Sequence, residues 1–453
     1  MKTTFPRRLA PALIAALTWC FVLLVPGAEA ATYYVDYETG DDGSSGLDRS
    51  FPWKHSPGMG GATGTAAATT LQSGDTVYFK KGVVWPASAL PLYLRYGGSS
   101  GSPITYATTD WGTGNYATFD AQNAVIRCVT FYDWNGAQSY LVLAGLELKN
   151  PASDGGYRRA VELRFGSNKT ITDSKLYSGG IWVVSCSSCV VKNNDIDFNN
   201  IEPAGERPAV EVSYSSSSGT TVQGNTIYGF NYAAIKTGGN ATDRPNNVVV
   251  ERNHIHSPGA PTTLQAGIIF RDTDSSMFRY NVIDLRSSSG QTSNTRGFTS
   301  WDAGGGNAIH NNSIVMNHYG IGVHTTAQNN NSVTNNIILD ADVGIAVGTG
   351  TGTEADYNDI YGHNTLYSGS IAWGGNNITS DPLLVAVGNE PYPYFYPQSA
   401  SPVRDTGDPA TAPGIDFAGA SVPQGGRADI GAFEYVASAD TLAPAAPSNL
   451  TVQ

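Results

Sequence analysis

Val191-Lys192-Asn193-Asn194-Asp195-Ile196 reads as an apolar residue, two spacers, an asparagine, one spacer and an isoleucine. The chain repeats this phrase at 222–227, 250–255, 278–283, 309–314, 333–338 and 355–360. A looser copy at 171–176 carries Ser174 in place of the asparagine. The asparagines fall at 194, 225, 253, 281, 312, 336 and 358, a period of 22 to 31 residues. A fixed phrase at an elastic period describes a solenoid whose turns are constant and whose loops vary. Asparagine suits a tight corner, because it tolerates the left-handed conformation and its amide bonds locally. Stacked coils would set these amides in a ladder.

A second phrase interleaves with the first: a small residue, an apolar residue, a spacer and usually another apolar residue. Gly180-Ile181-Trp182-Val183, Ala209-Val210-Glu211-Val212, Gly320-Ile321-Gly322-Val323 and Gly344-Ile345-Ala346-Val347 are examples. Such alternation marks a strand with one face inside and one outside. Each coil then holds three short strands, one from this phrase and two flanking the asparagine corner. The reading is an all-β parallel β-helix with an Asn ladder.

Residues 1–30 read as a secretory signal. Lys2, Arg7 and Arg8 precede an apolar stretch over 13–25, and Ala28-Glu29-Ala30 is a small-x-small cleavage site. Cleavage after Ala30 takes three basic residues from 26 and one acidic residue from 38, leaving 23 and 37 and a net charge of −14. That balance argues against nucleic acid and anionic membranes as partners. An anionic polysaccharide would need a local basic patch or a bridging cation. Charged residues make up 14% of the chain and glycine numbers 52, as suits a turn-rich exported protein. Export, a monomeric state and no membrane insertion after cleavage are the expectations. Cys186-Ser187-Ser188-Cys189 fits a turn disulfide or two inert thiols. A zinc site would need a second ligand pair, and none follows nearby. Cys128 reads as a core filler.

Residues 31–124 are assigned to an N-terminal cap and first coils, with a short helix over 65–71 plugging the solenoid and Gly74-Asp75-Thr76-Val77 opening its first strand. The repeats are assigned to 125–378, a C-terminal cap to 379–436 and an Ala/Pro/Ser linker to 437–447. Residues 448–453 begin a strand that resembles the start of a fibronectin type III module, so the chain reads as the front of a longer modular protein.

Tyr33-Tyr34-Val35-Asp36, Gly40-Asp41-Asp42, the Asn-x-Ile repeats and Asp429-Ile430-Gly431-Ala432 resemble secreted bacterial right-handed parallel β-helix proteins of the pectate-lyase-like superfamily. The resemblance covers nearly all of the chain after the signal. It implies a right-handed solenoid and a polysaccharide partner. It implies no single reaction, since that superfamily includes lyases, hydrolases and non-catalytic members. It also implies a substrate groove along one strand face. The Gly-Ile-x-Val strand looks like that face.

By alternation its outward positions are Glu162 and Arg164, Trp182 and Val184, Glu211 and Ser213, Lys236 and Gly238, Ile269 and Arg271, Thr299 and Trp301, Gly322 and His324. The loops at 197–208, 256–266 and 284–296 are long, and the one at 228–233 is short. This predicts a cleft floored by Glu211, Lys236 and Arg271 on three consecutive coils, roughly 4.8 Å apart. The trio suits β-elimination on a uronate sugar, which needs a base and a neutralised carboxylate. Lys236 is the candidate base, on condition that Arg271 or a cation lowers its pKa. Arg271 is the candidate partner of the sugar carboxylate. Glu211 with Asp272, Asp274 or Glu202 supplies oxygens for a possible Ca²⁺. Lyases of the superfamily often pair a Lys or Arg base with Ca²⁺, which the resemblance extends to this chain.

Two alternatives stand beside that reading. One is a cross-strand charge ladder on a non-catalytic carbohydrate-binding or spacer protein. The other is an inverting hydrolase using Glu162 and Glu211, two coils and roughly 9.6 Å apart. Trp182 and Trp301, with Tyr214 and Tyr232 near, offer rings for sugar stacking. Glu162, Arg164 and His324 are further candidate contacts. The histidines at 254, 256, 310, 318 and 324 show no ligand spacing.

Overall fold

A computed structural model describes residues 29–131, 138–199, 208–256, 264–286, 295–316, 318–323, 328–385 and 395–437. The expected signal up to residue 28 and the expected module at 448–453 lie outside them. Three parallel sheets of 12, 13 and 11 strands run the length of the molecule, each strand hydrogen-bonded to its counterpart in the next coil. The chain passes in turn through a first sheet (the Gly-Ile-x-Val strands), a second (before each Asn) and a third (after it). This is the parallel β-helix expected from the repeats, with the right hand that the resemblance implied.

The register makes the core. Ile181, Val210, Ile235, Ile268, Phe298, Ile321 and Ile345 stack inside the first sheet. Ile196, Ile227, Ile255, Ile283, Ile314, Ile338 and Ile360 stack inside the third. All of these side chains are buried. The two sequence phrases interlock here. A Cβ on Gly320 would stand 2.5 Å from Ile338 Cγ2, and one on Gly344 would stand 2.5 Å from Ile360 Cγ2. The small residue opening one phrase makes room for the isoleucine closing the other.

The Asn ladder is continuous. Each side-chain amide from Asn194 to Asn358 donates to the Oδ1 of the next asparagine at 2.9 to 3.0 Å, and Asn377 ends the run. Ser174 extends it backwards, its N–H donating to Asn194 Oδ1 at 3.1 Å. The left-handed conformation belongs to the preceding residue rather than to the ladder asparagine. Asn193, Gly224, Arg252, Tyr280, Asn311, Asn335 and Tyr357 have φ between 52° and 63°. That kink turns the ladder amide inward, where its hydrogen bonds replace water. A second, shorter ladder stands at the corner between the first and second sheets. There Val248 N–H donates to Ser276 Oγ, Ser276 N–H to Asn307 Oδ1 and Asn307 N–H to Asn331 Oδ1, at 3.0 to 3.1 Å.

At the N-terminal end, Thr32–Val35 already pairs with Thr76–Lys81, so the first strand precedes the Gly74 opening. A helix at Gly64–Ala68 buries Ala66 in the core. At the other end, Tyr367 and Trp373 take the interior positions opposite Ile345 and Ala355. Their rings stack at 4.3 Å and fill the last coil. The segment 395–437 lies along the flank rather than across that end. Phe395, Ala432 and Phe433 pack on Val282 and Val315, and Val403 and Ile430 pack on Ile337. Asn311 donates to the carbonyls of Asp429 and Gly431. The outer face of the third sheet is thereby buried over these coils. Cys186 and Cys189 form a disulfide, and Cys128 is a buried thiol whose pKa burial pushes up to about 12.

Candidate functional site

The first sheet carries one outward row of Glu162, Trp182, Glu211, Lys236, Ile269, Thr299 and Gly322 in direct register, as alternation predicts. A second row holds Arg164, Val184, Ser213, Gly238, Arg271 and Trp301. Arg271 is therefore two residues along the strand from the Glu211–Lys236 row, and Ile269 takes the place expected for it. Arg271 pairs with Asp302 and lies 3.8 Å from Asp272. The expected trio on three consecutive coils does not form a single row.

What the row does assemble is an ion-pair network. Glu162 accepts from Arg164 at 2.7 Å and from Thr130 at 2.9 Å, with Arg127 at 3.6 Å. Glu211 is shared, one oxygen 3.0 Å from Arg159 and the other 3.4 Å from Lys236. Between the two glutamates stands Trp182, its Nε1 donating to Ser213 at 3.2 Å. The Arg159 guanidinium lies 3.6 Å from the Trp182 ring centroid, and that of Arg164 lies 4.7 Å away. The indole face expected for a sugar is spent instead on holding two arginines.

Burial decides what this network means. The side chains of Arg127, Arg159, Arg164, Lys236, Glu162 and Glu211 are only 6% to 13% exposed. Among the described residues, four cations thus face the buried carboxylates of Glu162 and Glu211 in a largely desolvated patch. Asp154, half-exposed, adds a pair to Arg127 at 2.9 Å. Burial pulls the Arg159 guanidinium below its usual range, against the opposing pull of Glu211. An excess of buried positive charge is costly, and an anionic ligand relieves it.

Sequence reading missed Arg127 and Arg159. Arg159 was invisible because the strand has a bulge: Arg159 pairs with Gly180 and Val161 with Ile181, leaving Ala160 as an extra residue. A bulge reverses the alternation on its far side, so strict counting points Arg159 inward. Arg127 precedes its strand, and period-two counting says nothing of it.

The other candidates fall as follows. Asp272 accepts from Ala303 N–H at 3.0 Å, and burial raises its pKa. Asp274 pairs with Arg244 at 2.7 Å. Among the described residues no three His, Cys, Asp or Glu side chains converge to hold a metal. Glu202 and His324 lie outside the described residues. Trp301 joins an apolar cluster with Tyr232, Leu264 and Ile269 that continues the face past Lys236. Tyr232 is buried and Tyr214 exposed. His254 and His256 do meet, with rings stacked at 4.3 Å on the third sheet, and burial lowers the pKa of both.

The family model described as "Right handed beta helix region" matches residues 97–243 and 208–360, more than half of the chain. The chain belongs to that family. No curated protein matches the sequence. Among solved structures, a pectate lyase, Pel9A, is similar with a TM-score of 0.56 and 16% identity, over 89% of this chain and 96% of that one. A rhamnogalacturonan lyase is similar with a TM-score of 0.51 and 17% identity, over 68% and 82%. A GH136 lacto-N-biosidase from Eubacterium ramulus gives 0.50 and 15%, over 77% and 68%. At these identities the likeness establishes the fold.

Proposed function

We propose that this is an exported protein that takes an acidic polysaccharide along the first sheet and cleaves it by β-elimination at a uronate. The observation carrying this reading is the nearly buried patch in which Arg127, Arg159, Arg164 and Lys236 outnumber Glu162 and Glu211. It is a local basic site within a chain of net charge −12. Glu211 brings Lys236 together with Arg159, and this pair takes the roles first assigned to Lys236 and Arg271. Arg159 pairs with the sugar carboxylate and spreads the charge that builds on it. Lys236 is the base that removes the proton from the carbon beside that carboxylate. The freed electron pair forms a carbon–carbon double bond, the adjacent bond to the glycosidic oxygen breaks, and water protonates the leaving oxygen.

Of the acidic residues expected to hold Ca²⁺, Asp272 accepts from Ala303 N–H, Asp274 pairs with Arg244 and Glu202 lies outside the described residues, so no step is routed through a cation. A hydrolase is disfavoured because the oxygens of Glu162 are held by Arg164 and Thr130 and those of Glu211 by Arg159 and Lys236. A non-catalytic polysaccharide-binding role is the second reading. It is favoured by one observation: Lys236 has a protein partner in Glu211, as a structural ion-pair ladder requires. Incubation with pectate, alginate and glycosaminoglycans, with and without Ca²⁺, separates the two. Ultraviolet absorbance from unsaturated uronate that vanishes in Lys236→Ala supports the lyase. Binding without absorbance supports the second reading.

A further inference from the structure

Three coils beyond Glu211, the first sheet holds another arginine in a different setting. Arg296 is the second residue of Thr295–Gly305, opposite Ala266 and Tyr319. Its guanidinium lies 5.7 Å from the Trp301 ring and 5.4 Å from the Tyr319 ring. One terminal nitrogen donates to Thr299 Oγ1 at 3.1 Å, and the buried Nε has no hydrogen-bond partner. Burial lowers its pKa against the opposing pull of Tyr319, and no carboxylate among the described residues acts on it. Residues 287–294, which run into its strand, include no Asp or Glu. A half-buried guanidinium without an acid partner is costly, and its planar fork matches a carboxylate or sulfate.

Arg296 shares an edge with the site already described. Arg159 is the first residue of its strand, and five strand steps separate the two. That is about 24 Å along the axis. Between them lie Lys236 and the apolar cluster of Tyr232, Leu264 and Ile269. Apolar surface between two cationic points suits sugar rings carrying charge at intervals.

We propose that Arg296, held between Trp301 and Tyr319, is a distal anchor that takes a carboxylate or sulfate of the same acidic chain whose other part lies on Arg159. The ligand is then an oligosaccharide long enough to span both points, and a disaccharide falls short. This inference rests on the acidic-polysaccharide reading above.

Isothermal titration with galacturonate dimers, trimers and hexamers, and with a sulfated hexasaccharide, tests it. Wild type should bind an acidic hexamer at least about tenfold tighter than the trimer, as one charge-assisted contact allows. Arg296→Gln and Arg296→Met should abolish that gain and leave trimer binding unchanged. Either variant suffices if it keeps the wild-type circular dichroism spectrum. The hexamer that shows the loss identifies carboxylate or sulfate as the anchored group. Hexamer binding unchanged in both variants, with Arg159→Gln weakening every length, overturns the anchor and leaves the functional reading standing. Failure of wild type to bind any acidic oligomer removes both.

Discussion

Replacing Asn281 by alanine tests how the solenoid is held. Asn281 is fully buried at mid-ladder. Its Oδ1 accepts from the Asn253 backbone N–H at 3.1 Å and from Asn253 Nδ2 at 3.0 Å. Its Nδ2 donates to Val250 O and to Asn312 Oδ1, both at 2.9 Å. Each hydrogen bond contributes about 1 kcal/mol net, and buried groups left unpaired cost more. Asn281→Ala should therefore lower unfolding free energy by about 4 kcal/mol. Asn377 also makes four side-chain hydrogen bonds, to Ala355 O, Gly374 O, Asn358 N–H and Asn358 Nδ2, but it is half-buried at the ladder's end. Water can replace its lost partners, so Asn377→Ala should cost about 1 to 2 kcal/mol. Urea unfolding followed by circular dichroism, compared at equal m-value, gives both numbers. Equal costs, or a cost below about 1 kcal/mol at Asn281, would refute the claim that desolvated amides hold the coils together.

Other outcomes follow from the same contacts. Gly320→Ala should destabilise by about 1 to 3 kcal/mol, because its Cβ meets Ile338 Cγ2 and the Gly344 carbonyl, and Gly320→Ala with Ile338→Ala should cost less than the sum of the two single changes in the same urea assay. Burial pushes the Glu434 carboxyl up to about 7, and burial with the nearby Asp381 charge pushes Asp359 up to about 8. Folded carboxyls with raised pKa hold protons that the unfolded chain releases near pH 4, so their contribution is complete below that and is lost as pH rises through 7 to 8. Glu434→Gln and Asp359→Asn should flatten the fall in stability between pH 5 and 8, and an unchanged slope would contradict the assignment. If Lys236 is the base, Lys236→Arg should abolish cleavage while polysaccharide binding survives; cleavage retained in that variant speaks against the role.

Much of this architecture was legible in two phrases. The Asn-x-Ile spacing set the ladder and the isoleucine stack, and the small residue before each Ile-x-Val strand made room for that stack. Alternation placed Glu162, Trp182, Glu211 and Lys236 in one row, because register in a solenoid is fixed by the buried face. It failed at Arg159, where a bulge reverses the phase; Arg271 it placed correctly in the second row, and the departure lay in grouping that residue with Glu211 and Lys236. The left-handed corner was assigned to the asparagine itself, since asparagine is the polar residue most at ease there. The fold gives that strain to residues as varied as Arg252 and Tyr280 and keeps the amide for hydrogen bonding. The flank packing of residues 395–437 leaves no periodic mark, because it depends on complementary shape against Val282, Val315 and Ile337.

Affinity electrophoresis through gels containing polygalacturonate or a neutral glucan tests the central claim most directly, that the first sheet bears a site for an acidic chain. The account predicts retardation in polygalacturonate alone, weakening with added salt, and largely lost in Arg159→Gln with Arg164→Gln while the fold is kept. Equal mobility in both gels, or retardation that survives the double substitution, would contradict it.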